Sequence, residues 1–166
     1  AATLLLGITV RIVLFQPDIP QNVGAAIRLA ACFGVALDII EPCAFPMSDK
    51  TLKRASLDYG RLADVVRHDS WEVFLESAIA KEGRLVLIET DGTKFIHEFE
   101  FSSKDLLVLG RESAGVTEAV VSACAASVAI PIMPDARSLN VHTATAIALA
   151  EGLRQTGALA AMAASR

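Results

Sequence analysis

Short apolar runs alternate along this chain with segments whose apolar residues recur at helical spacing. The runs Arg11–Phe15, Leu37–Glu41, Ala63–Arg67, Arg84–Glu89, Leu106–Gly110 and Ser127–Ile132 are rich in Val, Leu and Ile and read as strands. After the first of them, Asn22 is placed to cap a helix. Val23, Ala26, Ile27, Ala30 and Ala31 fall on one face of that helix, and Gly34 stands where a left-handed stop belongs. Asp69-Ser70 opens a second helix that runs to Lys81 and stops at Gly83. A third spans Leu139 to Gln155 and closes at Gly157, and the alanine-rich Ala158–Ala164 reads as a helix end or a frayed tail.

This alternation predicts an α/β fold, an open, mostly parallel sheet with helices on both faces. No repeat or linker-like break divides the 166 residues, so one domain over residues 1–166 is expected. Composition agrees: 53% of residues are hydrophobic but only 5% are aromatic, which suits aliphatic strands buried under alanine-rich helices and excludes a disordered chain. The apolar Leu4–Val10 has no basic residue before it and is interrupted by Arg11. It reads as a lead into the first strand rather than a signal or membrane segment.

A net charge of −4 argues against a broad nonspecific nucleic-acid surface. It leaves room for a local patch, and Lys50, Lys53, Arg54 and Arg61 supply one, with Tyr59 among them. Such a cluster is ordinarily a solvated helix face; it also suits contact with a folded RNA, Tyr59 offering a stacking surface. Cys32, Cys43 and Cys124 are odd in number and form no C-x-x-C, and His68, His97 and His142 lack ligand spacing. Neither a disulfide framework nor a metal site is expected, and a reducing cytoplasm is the expected compartment.

Ligands of open α/β sheets bind at the carboxyl ends of the strands. No G-x-G-x-x-G and no Walker A loop occurs there, which removes the common dinucleotide and nucleoside-triphosphate cradles. What occurs instead is a set of polar loops. Gln16-Pro17-Asp18-Ile19-Pro20-Gln21-Asn22 follows the first strand, with Arg28 farther along the helix on the side away from Val23 and Ile27. Gly110-Arg111-Glu112-Ser113-Ala114-Gly115 follows the fifth, and Pro131 to Asn140 follows the last. Each alone is explained by a capped turn or a surface arginine. Their gathering at strand ends around one crevice is not.

These loops resemble the SPOUT methyltransferases. Pro17 to Arg28 reads P-x-x-P-x-N-x-G-x-x-x-R, Leu109 to Gly115 reads L-G-x-E-x-x-G, and Ile130 to Asn140 reads I-P-x-x-P-x-x-R-S-L-N. Ile40-Glu41-Pro42, Asp49-Lys50 and Arg54 to Tyr59 are further similar to the small TrmL branch, which methylates the wobble ribose of certain tRNAs. The resemblance implies a C-terminal trefoil knot, a homodimer, S-adenosylmethionine as methyl donor, tRNA as partner and no metal. It places Ile88, Gly110, Ile130 and Ser138 around the cofactor. It assigns catalytic positions to Asn22, Arg28, Glu112, Ser138 and Asn140, and RNA contacts to Lys50, Lys53, Arg54 and Tyr59. A ribose hydroxyl is a poor nucleophile, so Arg28 is expected to position it or a neighbouring phosphate; a guanidinium holds its proton too tightly to be a ready base.

The chain departs from the branch at Val141-His142-Thr143, where relatives often read Leu-Ser-Asn, at Ala150 before Glu151, and at Glu89-Thr90-Asp91. These departures bear on the substrate and on dimer contacts. Two other readings stay open at this point: a SPOUT enzyme acting on rRNA or another tRNA position, and a noncatalytic RNA- or nucleotide-binding α/β protein.

Overall fold

The computed structural model describes residues 10–165, so the apolar lead read at Leu4–Val10 lies, Val10 excepted, outside the described residues. The elements run β1 (Arg11–Phe15), α1 (Pro20–Phe33), β2 (Ala36–Ile40), α2 (Asp49–Ser56), a 3-10 turn (Leu57–Arg61), β3 (Asp64–His68), α3 (Trp71–Glu76) and α4 (Ala78–Glu82). They continue through β4 (Arg84–Ile88), β5 (Lys94–Phe95), β6 (Asp105–Leu109), α5 (Glu118–Ala123), β7 (Ala126–Ala129), α6 (Val141–Gln155) and α7 (Ala158–Ala164). The strands form one seven-stranded sheet in the order β3-β2-β1-β6-β4-β7-β5, and every pairing is parallel.

Alternating side chains divide the core into two layers. Ile12, Leu14, Leu37, Ile39, Val86, Leu107 and Leu109 pack on one face with Val23, Ile27 and Ala30 of α1 and Leu149 and Leu153 of α6. On the other, Val13, Phe15, Leu87, Leu106 and Val108 meet Trp71 and Phe74 of α3 and Val120 of α5. Strands covered on both faces carry continuous apolar runs, which is why β1, β4 and β6 were legible from composition alone.

Four expectations need correction. The last strand, expected over Ser127–Ile132, is Ala126–Ala129, because Pro131 has no N–H to give a ladder, so Ile130 to Ile132 belong to the loop. Asn22 does not cap α1: the helix begins at Pro20 with Ile19 at the cap, because proline fixes a helical φ and needs no N–H partner there. This frees the Asn22 amide for another contact. The helix expected to run unbroken from Asp69-Ser70 to Lys81 is two helices. Ser70 caps the first through Val73 N–H, and Ser77 both ends it and caps the second through Ala80 N–H. The last long helix starts at Val141, with Asn140 as its cap, so Leu139 belongs to the loop. Ala158–Ala164 is helical, entered through Gly157 at φ +79°.

Two carboxylates are fully buried in the sheet, Asp38 on β2 and Asp105 on β6, the latter held by Arg84. Asp38 accepts from Arg11 Nη2 at 2.8 Å and Nε at 3.0 Å, while His68 Nε2 lies 2.8 Å from its other oxygen. This cluster ties β1, β2 and β3 together within the sheet. Among the described residues no helix is long and apolar enough to cross a membrane.

Candidate active site

The carboxyl ends of β4, β6 and β7 open into a cleft of about 260 Å³, floored by Leu87 and Ile88 and closed on one side by Val141 and Ala144 of α6. The loop after β6 forms its rim. It doubles back between Arg111 and Gly115, whose backbone N–H groups each donate to the other's carbonyl at 2.9 Å. Gly115 takes the left-handed φ of +62° that the reversal needs. Gly110 is pressed against this hairpin; a Cβ there would stand 2.6 Å from the Gly115 carbonyl carbon. Only glycine leaves this backbone in place and still open to a ligand. Ile88, Gly110, Ile130 and Ser138, the residues expected around the cofactor, all line this cleft, with Glu89 and Thr90 added from the loop after β4.

A chain of polar side chains runs along the rim. Asn140 Nδ2 donates to Asn22 Oδ1 at 3.3 Å, and Asn22 Nδ2 donates to Glu112 Oε1 at 2.8 Å. Glu112 Oε2 accepts the Asp18 backbone N–H at 2.9 Å. The Asp18 carboxylate in turn accepts the Ser113 backbone N–H at 2.9 Å and the Ser113 hydroxyl. Those two donors from Ser113, aided by Arg111, hold the Asp18 carboxyl below its usual range. Asn140 meanwhile spends its Oδ1 on the α6 cap, accepting from His142 N–H and Thr143 N–H. One hydrogen-bonded string therefore fastens the loop after β1, the loop after β6 and the start of α6.

Of the expected catalytic residues, Asn22, Glu112 and Asn140 form this string, and Ser138 and Glu112 face the cleft. Arg28 does not line it. The side chain is exposed and lies on a different side of α1, its guanidinium 4.9 Å from the centre of the Tyr59 ring. There it shares a groove with Lys50 and Arg54, while Lys53 and Arg61 line the cavity beside it. The expected RNA contacts and Arg28 thus make one basic surface with an aromatic ring in it. Sequence reading missed Asp18 and Ser113, which occupy variable positions of their motifs and announce nothing by residue type. It also missed the setting of His142, whose Nδ1 is buried without a partner and whose pKa burial lowers. Among the described residues no group of His, Cys, Asp or Glu is placed to hold a metal ion.

Residues 9–150 match the model of the SpoU rRNA Methylase family. The chain belongs to that family. Among curated SpoU relatives, the tRNA (cytidine(34)-2'-O)-methyltransferase of Beijerinckia indica is 49% identical over 147 residues, covering 89% of this chain and 92% of the relative. A solved structure that gives structural insights into the 2-OH methylation of C/U34 on tRNA superposes with a TM-score of 0.82 at 38% identity, covering 89% of this chain and 95% of its own. The SpoU methyltransferase AviRb of Streptomyces viridochromogenes, in complex with the cofactor AdoMet, gives a TM-score of 0.80 at 27% identity. It covers 89% of this chain and 60% of the AviRb chain. The shared SpoU fold is the parallel sheet flanked by helices described above.

Proposed function

We propose that this SpoU chain transfers a methyl group from S-adenosylmethionine to the ribose 2′-hydroxyl of a tRNA wobble nucleotide, a cytidine or a uridine. The observation that carries the reading is the meeting of its three motif loops at one cleft, joined by the Asn140–Asn22–Glu112 string. The names of its relatives give the substrate class.

The cleft fits the donor. Ile88 and Ile130 offer apolar walls for a flat purine, and the Gly110 backbone can be approached closely enough to read a ligand's polar edge. When bound, S-adenosylmethionine supplies a methyl group on a positively charged sulfonium, ready for in-line displacement. What the residues must add is placement of the hydroxyl and an outlet for its proton. Both oxygens of Glu112 already accept hydrogen bonds, one from Asn22 and one from the Asp18 backbone, which suits a brace better than a base. Ser138 faces the same cleft with its hydroxyl free for a ligand. Arg28, with Lys50, Lys53, Arg54 and Tyr59, receives the anticodon loop: the cations meet phosphates, Tyr59 stacks on a base, and Arg28 orients the target ribose.

Because Arg28 stands apart from the cleft of its own chain, the working site is assembled by a homodimer that brings one copy's basic groove to the other's cleft. Exposed Met133 and Ile147, on the loop before α6 and on α6, are apolar surface for such contact. We further propose the trefoil knot for the C-terminal part. Supporting it are the out-of-order neighbours β6, β4 and β7 and the packing of α6 against α1, β4 and β6. A cytoplasmic setting goes with a tRNA substrate.

Two measurements bear on this directly. Calorimetry is expected to show one S-adenosylmethionine or S-adenosylhomocysteine site per chain, with affinity unchanged by a chelator; absence of binding by both ligands would remove the enzyme reading. Light scattering at micromolar protein is expected to give twice the 17.6 kDa chain mass. A fully active monomer would refute the shared site.

A further inference from the structure

Asp18 lines neither the cleft nor the basic groove, yet it bonds the loop after β1 to the loop after β6 that rims the cleft. Its backbone N–H donates to Glu112 Oε2, and its carboxylate accepts both the N–H and the hydroxyl of the next residue, Ser113. The contacts are reciprocal: each loop gives the other a donor and an acceptor, across 94 and 95 positions of sequence. A carboxylate that accepts a backbone N–H and a hydroxyl fixes that backbone in place as a helix cap does, here at a loop with no helix to stiffen it. Glu112 is then held from both sides, by Asp18 and by Asn22.

We propose that Asp18 is a positioning residue for methyl transfer: by clasping Ser113 it sets Glu112, and through Glu112 the amides of Asn22 and Asn140. This rests on the reading of the cleft as the methyl-transfer centre. Loss of the clasp lets the Gly110–Gly115 rim swing by a fraction of an ångström, enough to spoil an in-line geometry without emptying the site.

The test is single-turnover methylation of an anticodon stem-loop by the whole protein carrying Asp18→Ala, Asp18→Asn, Ser113→Ala, Glu112→Ala and the double variant Asp18→Ala/Glu112→Ala. Stem-loop affinity and thermal melts are measured in parallel. Asp18→Ala is expected to lower the rate of the chemical step by roughly tenfold to a hundredfold, with stem-loop affinity within about twofold of wild type. Asp18→Asn, which keeps an acceptor for Ser113, recovers most of that loss. In the Glu112→Ala background the Asp18 substitution adds little, since residues acting through one another are not additive. Should Asp18→Ala melt below the assay temperature, Ser113→Ala, which removes a single hydroxyl, carries the same comparison. An active wild type whose Asp18→Ala variant equals it, or whose double variant loses the product of both effects, overturns the proposal alone. A wild type that methylates no stem-loop overturns the reading beneath it as well.

Discussion

Arg28→Ala lowers single-turnover methyl transfer to an anticodon stem-loop by about 30- to 1,000-fold, the loss of roughly 2–4 kcal/mol of oriented charged contact in the reacting complex. Folding and cofactor affinity stay nearly intact. The Arg28 side chain is exposed and outside both core layers, so truncation leaves no cavity, and the stacking on Tyr59 that is lost contributes at most about 1 kcal/mol at such a surface. Lys53→Ala gives the contrasting result: weaker stem-loop binding and a shallower salt dependence, with the rate of bound substrate little changed. The pair of variants separates a residue that orients the ribose from one that only holds phosphate. Near-normal turnover by Arg28→Ala would make it a surface arginine and nothing more.

Asp38→Ala produces a large loss of stability. The carboxylate is fully buried and answers two partners, Arg11 at 20% side-chain exposure and His68 at 8%. Removing it strands a guanidinium and an imidazole inside the sheet without their acceptor, a change that costs about 3–5 kcal/mol when one member of a buried pair is deleted. Partial exposure of Arg11 lets water reach it and places the expected value near 3 kcal/mol. In a chain of this size that lowers the melting temperature by about 6–12 °C. Asp38→Asn keeps one acceptor oxygen and loses less. Neither variant alters cofactor affinity below its melting transition, because the cluster spans β1, β2 and β3 while the cleft is built on β4, β6 and β7. A melt of Asp38→Ala unchanged from wild type would mean that the buried cluster is energetically idle.

The apolar runs revealed the strands buried on both faces, and also the half-exposed edge strand β3, whose Val65-Val66 pair is enough to mark it. β1 was read from Arg11 to Phe15 and is found there, because an aliphatic run bounded by Gln16-Pro17 has few other ways to fold. β5 was missed: it is two exposed residues that pair only at the sheet edge, too short to carry a period. The break at Ser77 was missed because apolar spacing continues across it and only the serine hydroxyl, capping Ala80 N–H, interrupts the backbone. Sheet order was beyond periodicity, since β6 inserts between β1 and β4 through long crossovers that local pattern does not encode. At the site, motif letters brought Asn22, Glu112 and Asn140 to one place, but spacing suggested the wrong task for Asn22. It looked like a helix cap until Pro20 proved to start the helix and freed the Asn22 amide for Glu112. Arg28 was read correctly as facing away from the core; that this also takes it out of the cleft follows only from the tertiary packing of α1 against α2 and the 3-10 turn.

Methyl transfer to the wobble ribose leaves a product that can be read directly. Purified protein, S-adenosylmethionine and anticodon stem-loops bearing cytidine or uridine at the wobble position supply the most direct test, read by mass spectrometry of nuclease digests. The expected product gains one methyl on the ribose of the wobble nucleotide alone, and that linkage resists alkaline cleavage. A methyl group on a base or at another loop position, or none on any stem-loop under conditions where the cofactor binds, would contradict it.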